Sequence, residues 1–252
     1  MKAPALSIII PAYQEAGRIE RSLDELAGYL KQQGDTTTEV LVVVADSPDG
    51  TARLAEGKGN LFARFRLIAA GPKVGKGYQV RMGMMEAKGA CKLFMDADLA
   101  TPLHHIEEVR ELAQNKAAVI IAMRDLTSSH TGLRKLVSSI GNRLVQAVLL
   151  PGISDTQCGF KAFSSEAADA LFRRQTIMGW GFDMEVLAIA RLLKYRIVTI
   201  AAPDWQDHPE GTIGDDITAA ALVTLGELAV ILVRKWTGRY RQPSFHYGPP
   251  AS

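Results

Sequence analysis

Cysteine is nearly absent from this 252-residue chain: only Cys91 and Cys158 occur, far apart and without Cys-x-x-Cys or His-x-His company. The pair is neither a disulfide framework nor a zinc site, and it fits a reducing compartment. An excess of either charge is also missing. The formal net charge is +2, too small to imply a polyanionic partner, and no basic stripe is interleaved with aromatics, so nucleic acid is excluded as an expected partner. No basic n-region or cleavage site precedes the strand-like run that starts at Ala5, so no signal peptide is expected. No apolar run reaches the roughly 20 residues of a spanning helix. The longest candidate, Ile217 to Val233, is broken by Thr218, Thr224, Gly226 and Glu227 and reads as a buried or interfacial helix. Arg234, Lys235, Arg239 and Arg241 follow it, either as its solvated basic end or as a cluster for anionic lipid head groups. Internal repeats, a Walker phosphate loop and a linker rich in Pro, Gly or Ser are all lacking.

What remains is ample core material. Hydrophobic residues make up 47% and charged residues 22% of the chain, near the globular average and enough for one large α/β domain. That domain is expected over residues 1–241, with 242–252 as a flexible tail carrying three prolines. Apolar runs without polar alternation recur at Leu6 to Pro11, Glu39 to Ala45, Phe65 to Ala69, Leu93 to Met95, Val119 to Met123 and Arg196 to Ala201. Such runs predict strands buried on both faces, hence a mostly parallel sheet. Helix-like segments lie between them at about Arg18 to Gln33, after Asp49-Gly50-Thr51, and at Lys76 to Lys88 and Ile106 to Gln114. Leu133 to Leu150 and Gly179 to Leu193 are expected as further helices, and Asp155 to Lys161 as a turn into a short strand. The βαβα rhythm predicts a doubly wound, Rossmann-like α/β sheet flanked by helices.

In such sheets ligands bind outside the carboxyl ends of strands. The residues just past each predicted strand are chemically distinctive: Tyr13-Gln14-Glu15, Asp46, Lys73 through Lys76, Asp96 and Asp98, then Arg124-Asp125. Acids, bases and glycines therefore converge on one edge. Within that set, Asp96-Ala97-Asp98 follows an apolar strand at i, i+2 spacing, so both carboxylates leave on one side. Two carboxylates so placed repel unless a cation lies between them, and hard oxygens suit Mg²⁺ or Mn²⁺. Their other reading is an acidic, solvated turn. His104 and His105 are read as surface residues opening a helix, and Arg81 as a solvated helix residue.

Taken in order, Ile10-Pro11-Ala12-Tyr13-Gln14-Glu15-Ala16, Asp46 through Thr51, Gly75-Lys76-Gly77, Asp96-Ala97-Asp98, Arg134, Asp155-Thr156-Gln157-Cys158-Gly159-Phe160-Lys161 and Phe182-Asp183-Met184-Glu185 resemble the family 2 glycosyltransferases of the GT-A fold. The Asp155 to Lys161 word is similar to the polyprenyl-phosphate branch, which includes the dolichyl-phosphate β-glucosyltransferases and mannosyltransferases. The resemblance covers about residues 5 to 245. It implies a metal-dependent, inverting transfer of a hexose, glucose before mannose, from a nucleoside-diphosphate sugar. The implied acceptor is a polyprenyl phosphate, and the implied location is cytoplasmic, with peripheral contact at the cytoplasmic membrane face.

The resemblance also implies roles. Pro11, Tyr13, Glu15 and Asp46 would form the nucleoside side, and Lys76 would approach base or phosphate between its two glycines. Asp98 would be the direct Mg²⁺ or Mn²⁺ ligand, with Asp96 acting through water or ribose. Arg124, Arg134 and Lys161 would supply cations on the acceptor side. A phosphate acceptor needs no general base, so Asp183 and Glu185 would only orient groups; with a saccharide hydroxyl as acceptor, one of the two must take its proton. Three departures stand out: Ala100 where the mannosyltransferase pattern has glutamine, Ala45-Asp46-Ser47-Pro48 in place of Asp-Asp-Gly-Ser, and Gly211-Thr212-Ile213-Gly214 without a lysine. They leave open a sugar-nucleotide binding module without turnover.

Overall fold

The computed structural model describes residues 3–124, 149–153, 155–206 and 217–243, the backbone alone being described for 217–222. Among the described residues, seven strands form the sheet: β1 (Leu6–Ala12), β2 (Glu39–Ala45), β3 (Phe65–Gly71), β4 (Cys91–Met95), β5 (Val119–Arg124), β6 (Phe160–Ser164) and β7 (Ile197–Ala202). Their spatial order is β3-β2-β1-β4-β6-β5-β7. All pairings are parallel except those of β6, which runs antiparallel to both β4 and β5. The mostly parallel α/β sheet expected from the sequence is what forms.

Every residue of β1, β2 and β4 is buried, as a sheet covered on both faces requires. Alternate side chains enter opposite cores. Ile9, Leu41, Val43 and Phe94 point into one, while Ile8, Ile10, Val40, Val42, Leu93 and Met95 point into the other. Helix α1 (Ile19–Gln32), α2 (Thr51–Gly57) and α4 (His105–Gln114) cover the second face. Helices α3 (Lys76–Glu86), α5 (Ser165–Phe172) and α6 (Phe182–Leu192) cover the first. Gln79 of α3 ties the layers together at the strand ends, donating from Nε2 to the carbonyls of Ala12 (2.7 Å) and Val43 (2.9 Å).

Helix α5 was not legible in the sequence. It starts directly from β6 with no turn residues between, and its one signal is Ser164, whose hydroxyl accepts from the Ala167 amide at 3.2 Å as an N-cap. Of the helix expected at Leu133 to Leu150, only Leu149 and Leu150 are among the described residues; they lie in a turn and are buried. Arg81 is buried (8% exposed), not solvated, because α3 lies flat on the sheet and its guanidinium reaches the Gln175 carbonyl. The helix expected from the C-terminal apolar run forms as α7 (Ile217–Trp236). Leu228 and Ile231 are buried in the core, while Val223, Val233 and Trp236 are exposed. Among the described residues, no helix is long and apolar enough to cross a membrane.

Candidate active site

The chain leaves β1 toward β2 and β3 on one side and returns to β4 on the other, so β1 and β4 flank the switch in strand order. Pairing between them stops at Ile9 and Phe94. Pro11, which lacks an amide to donate, lies just beyond, where only β2 is paired to it. The carboxyl ends of β1 and β4 therefore part into a crevice, the usual ligand position in this architecture.

On the β1 side, the loop is laced to the loop after β2. The amides of Gln14, Glu15 and Ala16 donate to Ser47 Oγ (2.9 Å), Thr51 Oγ1 (2.9 Å) and Asp49 Oδ2 (3.0 Å). Asp49 also accepts from the hydroxyls of Ser47 (2.6 Å) and Thr51 (2.7 Å). Partial burial would raise its carboxyl, but these donors hold it well below the usual carboxylate range. Asp49 thus carries the local architecture, whereas Asp46 is exposed and contributes its amide to the Gly71 carbonyl at 2.8 Å. Glu15 pairs with Arg18 at 2.8 Å. Burial pushes the Glu15 carboxyl up against that partner, and Asp98, Asp96 and Asp49 push it further. The Tyr13 ring lies under the Lys73 ammonium at 4.1 Å.

On the β4 side, Asp96 is placed by its amide, which donates to the Gly159 carbonyl at 3.0 Å, and its carboxylate pairs with Lys76 at 2.6 Å. The chain then turns sharply: Leu99 takes a left-handed φ of 54°, and Asp98 Oδ1 accepts the Ala100 amide at 3.1 Å. Lys76 opens α3 between two glycines that lie against the segment before α6. A Cβ on Gly75 would sit 2.4 Å from the Met178 carbonyl oxygen, and one on Gly77 2.6 Å from Phe182 Cβ. The glycines are there for close approach, which carries Lys76 to Asp96 and under the exposed Trp180 ring at 5.0 Å. Burial alone would lower the Lys76 ammonium, but Asp96, Asp183 and Asp98 hold it above its ordinary value.

Deeper in the crevice, Lys161 of β6 pairs with Asp183 at 2.7 Å and also donates to the Cys158 carbonyl. Both side chains are almost wholly buried, at 1% and 3% exposure. Burial pushes the Asp183 carboxyl up, Lys161 and Lys76 pull it down, and Asp96 adds to the rise. Arg124 is bound by Asp155 through Nε (2.6 Å) and Nη2 (3.1 Å), and its guanidinium lies 5.0 Å from the Trp205 ring. A shallow cleft beside Asp96 is lined by Leu99, Thr101, Gly159 and Trp205.

The structure therefore brings Glu15, Lys76, Asp96, Asp98, Lys161 and Asp183 to one crevice, with Arg124 at its β5 side. It does not bring Glu185. Residues two apart on a helix point about 200° away from each other, so Asp183 and Glu185 cannot serve one site. Glu185 is fully buried and accepts from Thr176 N (2.8 Å), Ile177 N (2.7 Å), the Thr176 hydroxyl and the Tyr240 hydroxyl (2.8 Å), with Arg234 at 3.7 Å. It fastens α7 and the turn after it to the body. Glu185→Gln is expected to cost about 3 kcal/mol of stability, read as a lower urea midpoint, because it removes a buried charge from charge-assisted donors. Arg134 lies outside the described residues, as does the loop Gly211 to Gly214. Asp49 and Asp155 were missed as organising residues, since nothing in their spacing names their partners.

Comparison with known proteins places this geometry. The profile of Glycosyl transferase family 2 matches residues 7–172. A dolichyl-phosphate beta-glucosyltransferase of Trichomonas vaginalis is 32% identical over 215 residues, covering 80% of this chain and 64% of that protein. The Homo sapiens dolichyl-phosphate beta-glucosyltransferase is 32% identical over 219 residues, covering 80% and 67%. The chain thus spans about two thirds of the length of these relatives or slightly less. Among solved structures, mannosyl-3-phosphoglycerate synthase from Rubrobacter xylanophilus superposes with a TM-score of 0.69 at 18% identity, covering 98% of this chain and 79% of that one. Glucosyl-3-phosphoglycerate synthase from Mycobacterium tuberculosis, in complex with Mn²⁺, uridine diphosphate and phosphoglyceric acid, gives 0.65 at 18% identity, covering 90% and 78%. These structures are GT-A glycosyltransferases, and that fold, with the family match over most of the strands and the crevice, makes the chain a member of glycosyltransferase family 2.

Proposed function

We propose that the chain transfers a hexose, with inversion, from a nucleoside-diphosphate sugar to a polyprenyl phosphate, with glucose the preferred sugar and mannose next. One observation carries the reading. Carboxylates and lysines alternate across the crevice, Asp98 and Asp96 at its mouth, Lys76 between Asp96 and Asp183, and Lys161 behind Asp183. Such a lattice of opposite charges suits a substrate whose charge grows at the leaving diphosphate. The similarity to dolichyl-phosphate beta-glucosyltransferases supports glucose and a lipid phosphate.

The donor set fits a divalent cation. Asp98, Asp96 and Glu15 offer hard carboxylate oxygens, and the repulsion from Asp98 and Asp96 that adds to burial in raising the Glu15 carboxyl is relieved by a cation. Asp98 would hold Mg²⁺ or Mn²⁺ directly and Asp96, already paired with Lys76, through water or ribose. Bound there, the cation would neutralise the departing diphosphate. On the protein's side, Tyr13, Glu15 and Asp46 border the nucleoside end, and Lys76 sets the orientation of Asp96. Lys161 acts by holding Asp183 in place, being too deeply buried to meet an acceptor. Asp183, pinned by that lysine, orients groups at the acceptor side without removing a proton, and Arg124 and Arg134 supply the acceptor-side cations. Contact with the cytoplasmic membrane face would use Val223, Val233 and Trp236 with Lys235, Arg239 and Arg241, all exposed. Arg234 is engaged by Glu185 and Thr176. Lys235, Arg239 and Arg241 changed together to Ser should abolish sedimentation with anionic vesicles; unchanged sedimentation removes the membrane contact.

The deciding experiment offers labelled UDP-glucose and GDP-mannose with Mn²⁺ to a polyprenyl phosphate and to free saccharides. Label in the lipid phase supports the proposal. Product on saccharides alone would place the acceptor among hydroxyls, and donor binding without turnover would leave a binding module. Gly159→Ala gives a local check. Its Cβ would meet Asp96 Oδ2 at 1.9 Å, so Asp96 must leave Lys76. A displacement of about 1 Å at a reacting centre costs roughly 10²-fold, and kcat/KM is expected to fall by about that much.

A further inference from the structure

Behind the Asp98 loop lies a second cluster of ionisable groups that glycosyl transfer does not use. His104 and His105 open α4, Glu108 lies one turn on, and Asp204 reaches over from the end of β7. One ligand atom from each of His104, His105 and Glu108 lies within 4.8 Å of the others. His105 is buried at 3% exposure, against the expectation of a surface residue. Its ring is gripped on both sides, Nδ1 at 2.6 Å from Glu108 Oε1 and Nε2 at 2.9 Å from Asp204 Oδ1. The His104 ring stacks on it with centroids 4.2 Å apart and places Nε2 3.3 Å from Asp204 Oδ2.

We propose that this cluster is a binding site for a borderline divalent transition metal such as Zn²⁺ or Ni²⁺, separate from the carboxylate pair of the crevice. Two imidazoles and one carboxylate are a donor set for such ions and a poor one for Mg²⁺, which prefers oxygen. The arrangement has the outer partner that metal-bound histidines use: with the ion at His105 Nδ1 and the Glu108 carboxylate, Nε2–H donates to Asp204, fixing tautomer and ring plane. His104 supplies the third ligand from the preceding position, and water completes the coordination. Binding puts the metal charge between His105 Nδ1 and Glu108 Oε1, which lie 2.6 Å apart.

The position gives the site a consequence. Asp204 precedes Trp205, which lines the cleft beside Asp96, and the Gln206 amide donates to the Ala100 carbonyl at 3.0 Å. A metal drawing His105 and Asp204 together therefore clasps the β7-end loop onto α4 directly behind the loop that carries Asp98. Bound metal stabilises the fold by linkage and restrains Trp205.

The test titrates the metal-stripped full chain with Zn²⁺, and with Co²⁺ for its visible absorption, in wild type, Asp98→Ala, His104→Ala and Glu108→Gln. We expect Asp98→Ala to retain one tight equivalent and a thermal shift on Zn²⁺ addition, and His104→Ala and Glu108→Gln each to weaken binding at least about tenfold. His104 is exposed, so its substitution leaves the fold intact, which circular dichroism without metal checks. No tight equivalent in wild type, or one lost in Asp98→Ala and kept in His104→Ala, would overturn the proposal and leave an ion-paired clasp. None of these readouts needs glycosyl transfer, so their failure is distinct from failure of the proposed function.

Discussion

Asp98→Ala is expected to reduce sugar transfer by about 10²–10³-fold while leaving the folded chain intact, measured as kcat/KM beside thermal unfolding. The carboxylate is half-exposed and its one described hydrogen bond is to the Ala100 amide two residues on, so removing it opens no core cavity. What it removes is the charge proposed to hold the cation against the leaving diphosphate, and one preorganised electrostatic group at such a position commonly accounts for about 10²–10³ in rate. The neighbours give the prediction a second signature. Asp98 is among the groups that raise the Glu15 carboxyl and hold the Lys76 ammonium up, so its loss should let the Glu15 carboxyl fall and release part of the hold on Lys76. Full activity in Asp98→Ala would sink the metal reading. Loss of activity with loss of fold would show that the residue acts through structure.

Lys161→Met is expected to have the largest effect on stability, about 3–5 kcal/mol, because it leaves the Asp183 carboxylate buried without its closest partner. The sign with pH follows from the direction of the shift. Burial already holds the Asp183 carboxyl above its ordinary 3.8, and removing Lys161 takes away the largest opposing pull. A carboxyl raised in the folded state favours folding in the protonated form. That contribution is complete below the unfolded value and fades as pH rises through the folded one. The deficit of Lys161→Met should therefore be small near pH 4 and grow toward neutrality. Adding Asp183→Leu should recover much of the stability, since replacing both members of a buried pair with apolar groups is far less costly than orphaning one. Recovery of the fold without recovery of transfer would separate the structural work of the pair from the acceptor-side role proposed for Asp183. Denaturant midpoints of the two single variants and the double variant across pH give the coupling directly.

Much of this molecule was legible in one dimension because the signals are local. A short, β-branched apolar run such as Val40 to Ala45 reads as a strand buried on both faces, and the alternation of such runs with helix-like segments gives the layered α/β architecture. The edge that gathers the charged residues followed as well, since the polar residues after each run sit at carboxyl ends. Membership of glycosyltransferase family 2 was recognisable by the ordered words along the chain. The tertiary structure decided what depends on partners distant in sequence. It separated Asp183 from Glu185, because helical geometry turns residues two apart to different sides, and gave Glu185 to Thr176 and Tyr240. It sank Lys161 onto Asp183, because antiparallel β6 lies between β4 and β5 rather than at an edge. It buried His105 between Glu108 and Asp204, ninety-nine residues apart from the latter, in a contact that no periodicity encodes. Hydrophobic pattern is a property of neighbours along the chain, so sequence alone determined the layers; the pairing of buried charges depends on which strands become adjacent, and only the folded topology settles that.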